Sequence, residues 1–135
     1  MDKAQFLDYL ACFNAKDYAG FALYYTPDVL LTYPGGAQVV GPEAIVARYR
    51  RLHACLRESV ELHDLMFDNG RIFCSMYTVF KCFTDYPGFR WGAFDGLRPG
   101  QVARMTNFVL YTLRAGQFAD IRIAHHVMHN APGEP

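Results

Sequence analysis

The feature that most constrains this chain of 135 residues is a change of period halfway along it. Val60 to Phe67 and Arg71 to Thr84 are β-rich runs joined at Asp68-Asn69-Gly70, and Asn-Gly between two such runs is among the strongest short-range hairpin signals. Val102 to Leu113 and Phe118 to Val127 form a second hairpin about Arg114-Ala115-Gly116-Gln117. Both hairpins are nearly apolar on both faces. Around Tyr77, one face carries Phe73, Tyr77, Val79 and Phe83, and the other carries Ile72, Met76, Phe80 and Cys82. Neither face suits water, so one is assigned to helices and a pocket and the other to a second copy of the chain.

The first half supplies the helices. From Asp2 to Ala15, Phe6, Tyr9, Leu10 and Phe13 fall at helical spacing behind Asp2 as N-cap. Asp17 opens a second, short helix that carries Tyr18, Phe21, Ala22 and Tyr25 and ends at Pro27. Val29 to Tyr33 and Gln38 to Val40 are short strands about Pro34-Gly35-Gly36. Pro42 then starts a third helix, with Ile45, Val46, Tyr49, Leu52, His53 and Leu56 on one side and Arg48, Arg50, Arg51 and Arg57 mostly on the other. Tyr86 to Gly100 is a loop rich in Gly, Pro and aromatic residues, and its Tyr86-to-Gly92 stretch suits a lid or a dimer contact. Residues 1–129 read as one domain and 130–135 as a flexible C-terminal tail.

Composition narrows the function. Lys plus Arg and Asp plus Glu each count 13, so the formal charge is zero and no basic footprint for nucleic acid or a membrane surface exists. Aromatic residues make up 16% of the chain, more ring area than a plain core of this size needs. Cys12, Cys55, Cys74 and Cys82 are widely spaced, without a CxxC pair, and no secretory apolar segment opens the chain. They read as reduced core residues of a cytoplasmic protein. No run approaches the roughly 20 apolar residues that span a bilayer. The partner implied is a small hydrophobic organic molecule, with a homodimer as the assembly.

Asn14-Ala15-Lys16-Asp17-Tyr18, Pro27-Asp28-Val29 and Gly41-Pro42-Glu43-Ala44-Ile45, in this order among these elements, resemble the nuclear transport factor 2-like (SnoaL-like) superfamily over nearly the whole chain. The resemblance implies an α+β cone: three N-terminal helices packed on a curved, mostly antiparallel sheet around one cavity. Ketosteroid isomerases share that fold. Their oxyanion-binding tyrosine resembles Tyr9, but their general-base aspartate falls on Tyr33 and their protonated aspartate near Thr106 or Asn107. A phenol with a pKa near 10 does not replace a carboxylate base, which disfavours steroid isomerisation by that route. Scytalone dehydratases give a different partial match: their strand-one tyrosine resembles Tyr33, a histidine resembles His63 and an asparagine resembles Asn107. Their second tyrosine and its aspartate fall on Phe13 and Asn14, another histidine near Cys82 and a serine near Met105, which argues against scytalone as substrate.

The resulting expectation is a lyase or isomerase, cyclases included, that works without a cofactor on a polyketide, terpenoid or aromatic metabolite. His63 moves the proton; Tyr33, Tyr9 and Asn107 hold the oxyanion; His125, sharing strand parity with Ile121 and Ile123, points inward. Phe13, Tyr49, His53, Tyr77 and Trp91 are assigned to the pocket wall. His125, His126 and His129 do not make a metal site, because neighbours on a strand face opposite ways and no carboxylate joins them. The alternative is a non-catalytic ligand-binding or dimerisation module. A pocket of several hundred Å³ lined by Tyr33 and His63 favours the enzyme, and a cavity filled by Phe13, Phe73 and Tyr77 favours the module.

Overall fold

The computed structural model describes residues 1–135. Two helices, α1 (Lys3–Asn14) and α2 (Tyr18–Ala22), precede strands β1 (Tyr25–Thr32) and β2 (Gln38–Val40). Helix α3 (Pro42–His53) follows, then β3 (Leu56–Asp68), β4 (Arg71–Cys82), β5 (Val102–Arg114) and β6 (Gln117–Met128). The strands form one open sheet in the order β2-β1-β6-β5-β4-β3. Only the β1–β6 pair is parallel. The three helices pack on one face, which gives the α+β cone.

Local chemistry sets the ends. The Gln5 N–H donates to the Asp2 carboxylate and the Asp2 N–H to the Gln5 side chain, both at 2.8 Å, a closed capping box. Asp17 caps α2 through the Gly20 N–H at 2.9 Å. Asn69 and Gly70 both adopt positive φ, as a tight two-residue hairpin between right-twisted strands requires. Bulges bend the sheet: β3 slips between Leu62 and Asp64, and β5 against β6 between Thr106 and Asn107.

Three boundaries move from the sequence reading. The second helix stops at Ala22 and β1 starts at Tyr25, because the Tyr25 ring is buried and the Phe118 N–H donates to the Tyr24 carbonyl at 2.7 Å. Pro27 is tolerated inside β1 because no pairing with β6 is made between Tyr25 and Leu30. The third helix ends at His53 and β3 begins at Leu56, not Val60, which takes Leu56 and Arg57 from the expected helix, and Glu58 and Ser59 from the expected connection, into the sheet. At the other end of the chain Asn130 is anchored, accepting from the Arg104 N–H and donating to the Val102 carbonyl, each at 2.8 Å.

The core lies between α1, α2 and the concave face of the sheet. Phe6, Phe21 and Phe118 are fully buried, Tyr9 meets Phe118 at 4.8 Å between ring centroids, and Phe118 meets Tyr111 at 4.6 Å. The 83–101 loop is pinned rather than loose: Tyr86 and Leu97 bridge, and Phe89, Phe94 and Leu97 are buried.

The second hairpin carries one strained residue. Ala115 sits at φ 52° beside Gly116 at φ 78°, and a left-handed conformation costs a residue with a Cβ about 1–2 kcal/mol. Ala115→Gly is therefore expected to raise unfolding stability by up to about 1 kcal/mol, visible as an increase in the denaturant midpoint at constant slope. An unchanged or lower midpoint would contradict the strain.

Candidate functional site

The helices leave part of the concave face uncovered, and that space is the site. An inner lobe of about 70 Å³ is walled by Tyr9, Phe13, Tyr25, Tyr49 and Tyr111 among others. It adjoins an outer lobe of about 460 Å³ whose wall includes Tyr33, Arg48, Arg51 and Trp91. Tyr49, Glu58, Asn107 and Ile123 line both lobes. The outer lobe falls within the ~300–1,000 Å³ range of small-molecule sites. The inner one is well below the ~150 Å³ that admits a benzene ring, so it takes a substituent and not a ring system.

Glu58 is the only charged residue on the inner wall. It faces inward from β3 on the same parity as Leu56 and Val60. Its carboxylate meets His53 Nε2 at 2.8 Å, and His53 Nδ1 meets the Tyr18 hydroxyl at 2.8 Å. The His53 and Glu58 side chains are 5% and 9% exposed, so the pair is shielded from water on nearly every side. Arg50 lies over the Tyr18 ring at 4.5 Å, and burial raises the Tyr18 pKa, keeping it a neutral phenol. The result is a carboxylate–imidazole–phenol chain running from the cavity through the helical layer.

The other polar groups are hydroxyls and one amide. Tyr9 and Tyr25 share a hydrogen bond at 2.9 Å, and burial pushes Tyr9, Tyr25, Tyr49 and Tyr111 above the ordinary 10. All four stay protonated and act as donors or acceptors, not as bases. Tyr33 lies beneath the Arg48 guanidinium, 3.4 Å from its ring centroid. Its pKa is pushed up to about 12 by burial, against the pull of Arg48. The Tyr33 hydroxyl is buried and has no hydrogen-bond partner. His125 Nδ1 donates to Asn107 Oδ1 at 3.0 Å; an amide oxygen can only accept, so this contact fixes the tautomer with the proton on Nδ1.

The structure therefore gathers Tyr9, Tyr33, Asn107, Phe13, Tyr49 and Trp91 around one cavity. His125 stands just behind its wall, bonded to Asn107 and 4.9 Å from the Trp91 ring. His53 is set behind Glu58 and does not line the cavity itself. Two residues lie elsewhere. His63 is the extra residue of the β3 bulge; Leu62 and, beyond the bulge, Phe67 turn toward the helices, with Phe67 edge-on to Phe6 at 6.4 Å. His63 is thereby turned out on the convex face, 47% exposed and stacked on Tyr77 at 5.8 Å. Tyr77 is on that same face, against His129 at 5.5 Å. Glu58 was outside the sequence reading because a strand starting at Val60 leaves it in a connection. Extending the alternation of Leu62 and Val60 back by one step would have found it.

Residues 6–121 match the SnoaL-like domain family. No curated protein matches the chain by sequence. Among solved structures, an NTF2-like protein from Burkholderia pseudomallei is similar at 13% identity and a TM-score of 0.71, covering 88% of this chain and 86% of that one. A candidate polyketide cyclase from Pseudomonas putida is 18% identical with a TM-score of 0.71, covering 89% and 87%. TerC, crystallised with polyporic acid, is 16% identical with a TM-score of 0.68, covering 90% and 88%.

Partial burial beside Trp91, reinforced by His126, lowers the His125 pKa from the ordinary 6.5. The neutral ring is the form the fold prefers. Its contribution to stability is thus complete above 6.5 and is lost as pH falls from there through the folded value. An NMR titration is expected to place His125 below 6.5, and His125→Gln to flatten the pH dependence of stability in that window. A His125 value at or above 6.5 would show that its surroundings do not disfavour the charged ring.

Proposed function

The chain belongs to the SnoaL-like domain family, and from that premise we propose that it is a cofactor-independent lyase or isomerase, cyclases included, acting on a small hydrophobic polyketide, terpenoid or aromatic metabolite of secondary metabolism. The observation that carries the reading is Glu58, a lone carboxylate on an otherwise nearly apolar inner wall, backed by His53. A carboxylate in such a place is a general base for a carbon acid. Glu58 takes a proton from carbon beside a carbonyl, the electron pair moves onto the carbonyl oxygen, and hydroxyls of Tyr9 or Tyr33 or the Asn107 amide hold the oxyanion. Return of the proton from Glu58 to another carbon gives isomerisation; its transfer to a departing β-hydroxyl, which leaves as water as the carbonyl re-forms, gives dehydration; attack of the enolate on a second carbonyl, whose alkoxide then takes the proton, closes a ring. His63, exposed on the convex face, gives up the proton-shuttle role to Glu58, with His53 and Tyr18 behind it.

Most of the free volume is in the outer lobe, away from Tyr9 and Tyr25, and this favours a second reading: ligand binding without turnover. The two separate by experiment. Exchange of α-hydrogens of a bicyclic ketone such as 2-tetralone for deuterium, followed by NMR, is expected to be accelerated by the wild type. Glu58→Gln, folded by circular dichroism, should lose about 10²–10⁴ of that rate, while His63→Ala keeps it. Equal rates with Glu58→Gln would leave the binding module standing.

The homodimer is proposed on the convex face, where Phe73, Tyr77 and Val79 are only half-buried and Phe83 is 49% exposed. Covering such a face removes roughly 800 Å² per partner in a stable contact. The four free cysteines suit a reducing cytoplasm, the compartment proposed. Light scattering is expected to give twice the 15.4 kDa chain mass. A concentration-independent monomer would exclude the dimer.

A further inference from the structure

The outer lobe is charged in a way the neutral chain does not foretell. Arg48, Arg51 and Arg90 line it, against Glu58 as the one acidic wall residue. Arg90 lies 3.5 Å from Asp95 on the surface. Arg48 and Arg51 have no carboxylate partner anywhere in the fold. Arg48 is half-buried and held over the Tyr33 ring, so its guanidinium is positioned before any ligand arrives. Beside it the Tyr33 hydroxyl is buried with its hydrogen-bonding capacity unused, a desolvation cost that a fold does not carry without a reason.

Two unpaired guanidiniums and an unsatisfied phenol donor on one wall are complementary to an oxyanion. We infer that the ligand is a planar aromatic acid, its carboxylate or equivalent acidic oxygen held at the mouth by Arg48, Arg51 and Tyr33 and its apolar part directed inward. This deepens, and rests on, the reading of the cavity as a small-molecule site. Charge sets the orientation: an anion directed into the inner lobe would meet Glu58 and no cation, whereas one held beside Arg48 and Arg51 meets two guanidiniums. Volume agrees, since the rings fit only in the outer lobe, whose wall includes Trp91 and Tyr33, and one substituent reaches the inner lobe beside Glu58.

The test compares 2-naphthoate with its neutral isostere 2-naphthamide by calorimetric or ligand-observed NMR titration at neutral pH. The acid is expected to bind about tenfold tighter or more, a preference that corresponds to about 1.4 kcal/mol. Raising salt should weaken the acid and leave the amide unchanged. The double variant R48Q/R51Q should bring the two to parity, and Arg51→Gln alone, an exposed position, should reduce the preference without endangering the fold. Tyr33→Phe should weaken the acid selectively. Glu58→Gln reports on the catalytic reading and, by removing the one negative charge of the wall, is expected to raise the preference for the acid, so loss of exchange chemistry and loss of anion selectivity are read separately. No binding of the acid at millimolar concentration, equal affinities, or a preference that survives R48Q/R51Q would overturn the inference.

Discussion

A mismatch of lengths between the helices and the sheet underlies the site. Helix α1 has 12 residues and spans about 18 Å, while β3 and β5 have 13 residues each and reach about 43 Å. The helices cannot cover a concave face of that extent. Where they do cover it, rings interlock, with Tyr9 and Phe6 of α1 meeting Phe118 and Tyr111. Where they stop, the same inward-facing strand positions line an open cavity. Core and site are one surface, divided by the end of a helix.

That continuity explains the character of the polar groups. A cavity continuous with a core admits polar side chains only if each is satisfied or kept neutral. Four buried tyrosines meet this condition as phenols held above their ordinary pKa, two of them bonded to each other. Glu58 meets it through His53, and His53 through Tyr18. The Tyr33 hydroxyl is the one buried side-chain polar atom without a partner, and its residue belongs to the wall of the outer lobe.

The element order, the Asn69-Gly70 hairpin, the caps at Asp2 and Asp17 and the two-faced strands were all legible in the sequence, because each depends on local chemistry or on a period of two. What tertiary packing decides was not. Tyr25 continues a helical pattern by spacing, yet its ring is taken into the core as the first residue of a strand. Leu56 fits the apolar side of α3 equally well, but it is fully buried as the start of β3 and brings Glu58 into the wall with it. The outward placement of His63 follows from a bulge, a one-residue insertion that alternation cannot register. Asn107 is named through a family resemblance and Trp91 as a ring in a Gly-rich loop; the pairing of Arg48 with Tyr33 across a strand and a helix has no local signal.

The strand order has a consequence for how such a chain comes to be folded. β6, the last of the six strands, is an interior strand, third from the β2 edge, holding β1 on one flank and β5 on the other. Until residues 117–128 have left the ribosome, β1 and β2 have no sheet to join, and the β3–β4–β5 meander ends in an unpaired, apolar edge. Loop closure between the two ends of the chain is therefore the step that completes the molecule, a long-range and slow kind of contact. The interval before it leaves an exposed edge for which nascent chains depend on chaperones.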